Sequence, residues 1–300
     1  MPAKPCLHIG YPKAASKTLQ FGLFGPHSQV NIIGKGGDLT DAMRQWVFGI
    51  YGHDSMQYDA AHQQRGFDEL IRPLLDREQV LVFSWELFTL PSHVDRGLIA
   101  QRLRALFGDA KIIFNIRSQL DQLVSLYLFQ RARALHSVSL QEFISQNMEV
   151  RRGSWIECLD YSKVVRTYAE LFGKDNVGIF LLEDLRKDAA AYARSVCAFI
   201  GVDEDEGARH LVGVRNNEGR SAAMSAYTRF RKLMLPEVAI GHYVPKTARD
   251  GFHNLLNRGG KPKAEIPADA KRELRSFFGK GNRYLADSYG LPLEHNDYPL

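Results

Sequence analysis

The 300-residue chain is 45% hydrophobic and 24% charged, proportions of an ordinary soluble globular protein that can bury a sizeable core as one large α/β domain or two small ones. It has no apolar run of 18 or more residues and no charged-then-apolar leader pattern. Its three cysteines (Cys6, Cys158, Cys197) are too far apart for a disulfide framework or zinc motif, so a reducing cytoplasm is the expected compartment. The net charge of +5 is uneven: residues 215–283 hold 15 Lys/Arg against 6 Asp/Glu, which suits an anionic ligand, an anionic substrate, a membrane surface or simply a solvated helical face.

Short apolar runs alternate with helical periods along the first two thirds of the chain. CLHIG (6–10), VNII (30–33), VLVF (80–83), KIIFNI (111–116) and VGIFLL (177–182) read as strands. Their near-continuous apolar character predicts a parallel sheet covered on both faces. Between them, 39–51, 67–76, 96–108, 118–135, 161–173 and 188–201 place apolar residues at three- and four-residue spacings, with Gly173 and Gly201 as helix stops. The expected fold is therefore α/β, a doubly wound, mainly parallel sheet with flanking helices. Beyond residue 202 the strand pattern ceases. Residues 203–219 and 241–266 read as long loops or a lid, and 221–234 and 267–289 as helices. One domain spanning 1–300 is expected, with a sheet core in 1–202 and a helical, loop-rich portion in 203–300.

The first strand runs into YPKAASKT and then an amphipathic helix whose N-terminus is predicted near Ser16 or Lys17. Exposed N–H groups and the helix dipole make such a turn an anion site. Ala14, Ala15 and Ser16 are small enough to admit an oxyanion to the backbone. Lys13 and Lys17 supply charge, and Ser16 and Thr18 supply hydroxyls. The glycines of the Walker loop GxxxxGK[ST] are absent, which disfavours a nucleotide triphosphatase. A plain strand–turn–helix connection with exposed lysines is the alternative.

A second element, IIFNIRSQLDQLVSLY, puts Arg117 at a strand end and Ser125 about two helical turns further on. A planar guanidinium with a nearby hydroxyl suits a dianionic phosphate, and both elements fall on the carboxyl edge of the sheet, where ligands of open α/β folds bind. A surface pair between Arg117 and Asp121 is the alternative here.

These two elements, in this order, resemble those of the sulfotransferases that use 3′-phosphoadenosine 5′-phosphosulfate (PAPS). HIGYPKAASKTLQ resembles the family's 5′-phosphosulfate loop, and IRSQLDQLVSLY its 3′-phosphate element. LDYSKVVRTYAELFGKDNVGIFLLEDL and FFGKGNRYLADSYG resemble bacterial members. The resemblance implies a fold like that of P-loop NTPases and PAPS as co-substrate. It implies that Lys13 contacts the bridging and phosphosulfate oxygens, and that Ser16, Lys17 and Thr18, with the backbone at Ala14 and Ala15, hold the 5′-phosphate. Arg117 and Ser125 would hold the 3′-phosphate. Ala15 stands where glycine is more usual, and Lys17 where threonine is. The family's basic loop over the 3′-phosphate has no clean match; RNNEGRS (215–221) is the candidate, with Arg220 as its contact.

For the base that takes the acceptor's proton, the end of VLVFSWELF offers Glu86 at the position where related enzymes carry a functional residue, in some a histidine. A carboxylate in the partly apolar mouth formed by Trp85 and Phe88 suits proton acceptance; a helix-starting glutamate or ion-pair partner is the alternative. Asp38, His53 and His62 are further candidates. Trp46, Tyr51 and Tyr58 could line an acceptor site or equally pack helices, since Trp46 and Ile50 share helical spacing. Together these readings describe a sulfotransferase acting on a hydroxyl or amine of a carbohydrate, glycolipid or small molecule, with no metal and no nucleic acid expected and peripheral membrane contact left open. The competing readings are a kinase-like enzyme using ATP and a non-catalytic anion- or membrane-binding protein. The first predicts a conventional phosphate loop, and the second leaves the ordered pair of phosphate elements unexplained.

Overall fold

The structure is a computed structural model, which describes residues 3–34, 37, 39–91, 94–133, 135, 138–150, 153–214 and 264–300. Five strands form the sheet: β1 (Cys6–Gly10), β2 (Val30–Ile33), β3 (Val80–Ser84), β4 (Lys111–Ile116) and β5 (Val177–Leu181). All pair in parallel, in the order β2-β3-β1-β4-β5, so β1 is central and its neighbours are β3 and β4. The strands match the expected runs to within a residue, because each is apolar on both faces and bounded by polar or turn residues.

The helices in chain order are α1 (Ser16–Leu19), which continues as a π-helical turn over Gln20–Phe24, then α2 (Asp41–Gly52), α3 (Ala60–Leu70), α4 (Arg72–Leu75), α5 (Arg96–Phe107), α6 (Gln119–Ala132), α7 (Leu140–Val150), α8 (Trp155–Cys158), α9 (Tyr161–Phe172), α10 (Leu182–Lys187), α11 (Ala189–Ile200), α12 (Glu204–Leu211) and α13 (Ala268–Tyr289). Strand alternation sorts the core into two layers. Leu7, Ile9, Phe83, Ile112 and Phe114 face the larger layer, built with α2, α5, α6, α9 and α13. Cys6, Val82 and Ile113 face the smaller one, built with Leu23, Phe24, Val196, Cys197 and Leu211 from the α1 segment, α11 and α12.

Two expectations are corrected. The period over 67–76 is not one helix: α3 ends at Leu70, and Pro73, in the first turn of α4, restarts it. Residues 204–211, expected as loop, form α12. Asp203 caps it by accepting from the N–H of Glu206 at 2.6 Å, and Ala208 and Leu211 are buried. Gly207, which reads as a breaker, is there because a Cβ would lie 2.3 Å from Cys197 Sγ. The expected 221–234 helix, most of the 241–266 loop, and the RNNEGRS stretch lie outside the described residues. All three cysteines are free and buried.

Candidate active site

The turn after β1 is fixed by its backbone. Tyr11 N–H donates to Asn115 O at 2.7 Å on β4, and Ala14 N–H donates back to Tyr11 O at 3.2 Å. Ser16 Oγ also donates to Tyr11 O at 3.1 Å, which binds the helix start to the turn. Lys13 and Ala15 both take the left-handed conformation, φ 69° and 67°, and Ser16 begins the helix as expected. A left-handed residue followed by a helical one forms a concave nest of N–H groups suited to an anion, and here it coincides with the helix N-terminus.

From outside, the turn is held by residues that sequence reasoning did not single out. Gln122 on α6 donates to Pro12 O at 2.7 Å, and Tyr161 on α9 donates to Gln122 Oε1 at 3.1 Å and to Arg117 O at 2.9 Å. Their only sequence signal is a glutamine and a tyrosine on otherwise apolar helix faces. The start of α6 is clamped in turn: Gln119 and Asn282 of α13 exchange amide hydrogen bonds at 2.6 and 3.0 Å, and Ser118 N–H donates to Glu183. The stretches 159–185 and 277–290 thus meet behind the β4 end.

Lys13 and Arg117 meet at this edge. Arg117 is only 11% exposed in its side chain; it donates to Asp121 Oδ2 at 2.7 Å and reaches Lys13 O at 3.5 Å, while its buried Nε has no hydrogen-bond partner among the described residues. The Arg117–Asp121 pair therefore forms, and it forms beside the turn. Ser125 is half-buried on α6, on the same helical stripe as Asp121. The ammonium of Lys13 lies 5.0 Å over the Phe129 ring, and Arg133 stacks on that ring at 4.3 Å. Partial desolvation first, then Lys17, Arg117 and Arg133, hold the Lys13 pKa below its ordinary value, and Glu86 opposes them. Ser16 and Thr18 are buried and Lys17 is exposed.

Glu86 starts a 3-10 turn (Glu86–Thr89) directly after β3 and is half-buried. Gln20 Nε2 donates to its Oε2 at 3.5 Å. The β3 end is packed against the β1 end, since Gly10 approaches Thr89 so closely that a Cβ would lie 2.6 Å from Thr89 Oγ1. Strand order thus brings the three sequence-derived elements (the 11–18 turn, Glu86 and Arg117) to the carboxyl ends of the three adjacent strands β3, β1 and β4. Asp38 and Arg220 lie outside the described residues. His53 follows the end of α2 and packs on Phe48, with 5.7 Å between ring centroids, and His62 is exposed in the first turn of α3. Trp46 is core, with its Nε1 donating to Gln63 O at 3.0 Å. Tyr58 lies under the Arg102 guanidinium, while Tyr51 packs beside Trp85 and Phe88.

The sequence model described as "Sulfotransferase domain" matches residues 86–259, more than half of the chain. The chain belongs to the sulfotransferase family. That match begins at Glu86 and takes in Arg117 and Ser125, whereas the 11–18 turn stands on its own sequence and geometry. The fold is shared with a sulfotransferase from Alicyclobacillus acidocaldarius at 19% identity and TM-score 0.57, with 98% of this chain and 97% of that one covered. Mouse sulfotransferase SULT7A1 complexed with PAP aligns at 16% identity and TM-score 0.44, over 91% of this chain and 89% of that one. No curated protein matches the chain. The parallel sheet with the turn after its central strand is the P-loop-like sulfotransferase fold. Among the described residues no helix is long and apolar enough to cross a membrane, and no cluster of His, Cys, Asp or Glu could hold a metal ion.

Proposed function

We propose that this sulfotransferase transfers the sulfuryl group of PAPS to a hydroxyl or amine of a carbohydrate, lipid or small molecule, with residues 1–300 acting as one catalytic domain in the cytoplasm. The observation that carries the reading is the meeting of Lys13 and Arg117. A backbone cradle and a guanidinium fork stand side by side on one sheet edge, as a ligand phosphorylated at both ends of its ribose requires. The backbone N–H groups that the small side chains of the turn leave open, and the Arg117 Nε without a partner among the described residues, are donor capacity that such a ligand would use.

PAPS supplies a sulfuryl group bonded to a phosphate leaving group. Around it, Lys13 would meet the negative charge that gathers on the bridging oxygen, while Ser16, Lys17 and Thr18, with the backbone N–H groups of Ala15 and Ser16, would hold the 5′-phosphate. Arg117 and Ser125, with Arg220, would hold the 3′-phosphate. Glu86 would accept the acceptor's proton as its oxygen or nitrogen bonds to sulfur. The O–H or N–H bond breaks, the new O–S or N–S bond forms, and the electron pair of the broken S–O bond goes to the phosphate. In-line placement of the acceptor is the main demand on the site.

Thermal unfolding with 3′-phosphoadenosine 5′-phosphate (PAP) and with ATP tests the donor. A ligand at about a hundredfold excess over its Kd stabilises the native state by roughly 2.7 kcal/mol. PAP is expected to stabilise at concentrations where ATP does not; equal or stronger stabilisation by ATP would sink the proposal. Glu86→Gln is expected to lower kcat by about 10²–10⁴-fold while leaving PAP binding intact. A variant with nearly normal turnover removes Glu86 as the base.

A further inference from the structure

Below the mouth, polar side chains interrupt the smaller core layer. His8 on β1 and Ser84 on β3 are direct register partners, and His8 Nδ1 lies 2.7 Å from Ser84 Oγ. Gln20 opens the π-helical turn and is 1% exposed. Its Nε2 donates to Ser84 Oγ at 2.8 Å and to Glu86 Oε2 at 3.5 Å. An amide nitrogen only donates, so Ser84 Oγ accepts from Gln20, and the same hydroxyl is hydrogen-bonded to His8 Nδ1. Burial pushes the His8 pKa down to about 4, so the ring is neutral at physiological pH. Turning the Gln20 amide over would set its oxygen against the Glu86 carboxylate.

Stability does not explain this arrangement. His8 Nε2 and Gln20 Oε1 are both buried and have no hydrogen-bond partner among the described residues. An apolar trio of similar volume would leave no such orphaned atoms, and buried polar groups left unsatisfied in a native fold call for another explanation.

We infer that the chain His8–Ser84–Gln20 is a positioning device, which fixes the Glu86 carboxylate against the end of β3 so that it faces the acceptor. The inference rests on Glu86 as the base. Gln20 keeps its amide protons throughout; only the acceptor's proton moves, and it moves to Glu86. Ser84 holds Gln20, and His8, fixed inside the sheet by its strand, holds Ser84.

The test uses the full chain, with sulfuryl transfer and PAP-induced stabilisation read together. Gln20→Leu and Gln20→Met keep the volume and remove the donor. Each is expected to lower kcat by about 10- to 100-fold, the scale of a misplaced catalytic group, with PAP stabilisation unchanged. Ser84→Ala, which deletes one oxygen and so keeps the test open if a Gln20 variant misfolds, is expected to act in the same direction. Ser84→Thr, which retains the hydroxyl, is expected to restore most of the activity. In a Glu86→Gln background, Gln20→Leu is expected to cost nothing further, because Gln20 acts only through Glu86. Wild-type kcat in the Gln20 variants, or losses that multiply in the double variant, would overturn the inference. An inactive Glu86→Gln beside unimpaired Gln20 variants defeats this proposal alone. An active Glu86→Gln defeats the base assignment and this inference with it.

Discussion

The turn after β1 and the β4–α6 corner sit on one edge of the sheet but are built from different materials. The turn is backbone: two left-handed residues, a buried Ala14, and carbonyls tied down by Ser16 and Gln122. Hydrogen bonds within the chain itself hold its shape, so little ordering remains to oppose binding. The corner is a side chain already spoken for, since Arg117 pairs with Asp121, whose own side chain is 59% exposed. Under the proposed function the difference divides the labour. The preformed turn binds what all nucleotides share, a 5′-phosphate, whereas Arg117 must leave or share a carboxylate to accept the 3′-phosphate and so supplies the discrimination.

Removing Arg117 should therefore break selectivity more than affinity for nucleotides in general. A hydrogen bond to a charged group is worth about 1.5–3 kcal/mol. Arg117→Ala is accordingly expected to weaken PAP by roughly ten- to a hundredfold and leave adenosine 5′-phosphate nearly unaffected, measured by calorimetric titration of both. Equal losses for the two would mean that Arg117 supports the turn, through Lys13 O, rather than reading the 3′-phosphate.

Asp121 sharpens the same contrast with a smaller effect of opposite sign. An exposed ion pair contributes about 0.2–1 kcal/mol, and Asp121→Asn removes both that competitor and a like charge near the ligand. PAP is expected to bind about two- to fivefold tighter, with the gain fading as salt rises. Weaker PAP binding would show instead that Asp121 preorganises Arg117.

What was legible in the sequence follows the same line between backbone pattern and side-chain partnership. The strands could be read because burial on both faces leaves an apolar run with sharp ends, and β1, β2 and β4 fall on the expected residues. Strand order then placed Lys13, Glu86 and Arg117 together without any side-chain information. Helix α12 was not legible, since its glycine serves close packing on Cys197 and its acidic residues mask a short buried face. The supports of the site were not legible either. Gln122 and Tyr161 act through one carbonyl each, across 110 and 44 residues of sequence. His8, Ser84 and Asn115 did leave a trace: one polar residue near the end of each of three apolar strands, at a depth where nothing polar belongs without a partner. Asn115 finds its partner in Tyr192 of α11, in the same layer.

The smallest expected effect concerns the material of the turn itself. Ala15 holds φ 67° and ψ 13°, a conformation that costs an L-residue about 1–2 kcal/mol and glycine almost nothing. Glycine also adds freedom to the unfolded chain, which opposes the gain by about 0.4–1 kcal/mol. Ala15→Gly should thus stabilise the free protein by roughly 0.5–1 kcal/mol, a rise in Tm of about 1–2 °C in a chain of this length. PAP affinity should stay within about twofold, because Ser16 Oγ and Gln122 hold the carbonyls of Tyr11 and Pro12 whichever residue occupies position 15. If Tm rises while PAP affinity falls, the alanine is what stiffens the turn. The strain at Ala15 would then serve the cradle's shape, in contrast to the corner, where a side chain that must share its carboxylate partner sets the fit.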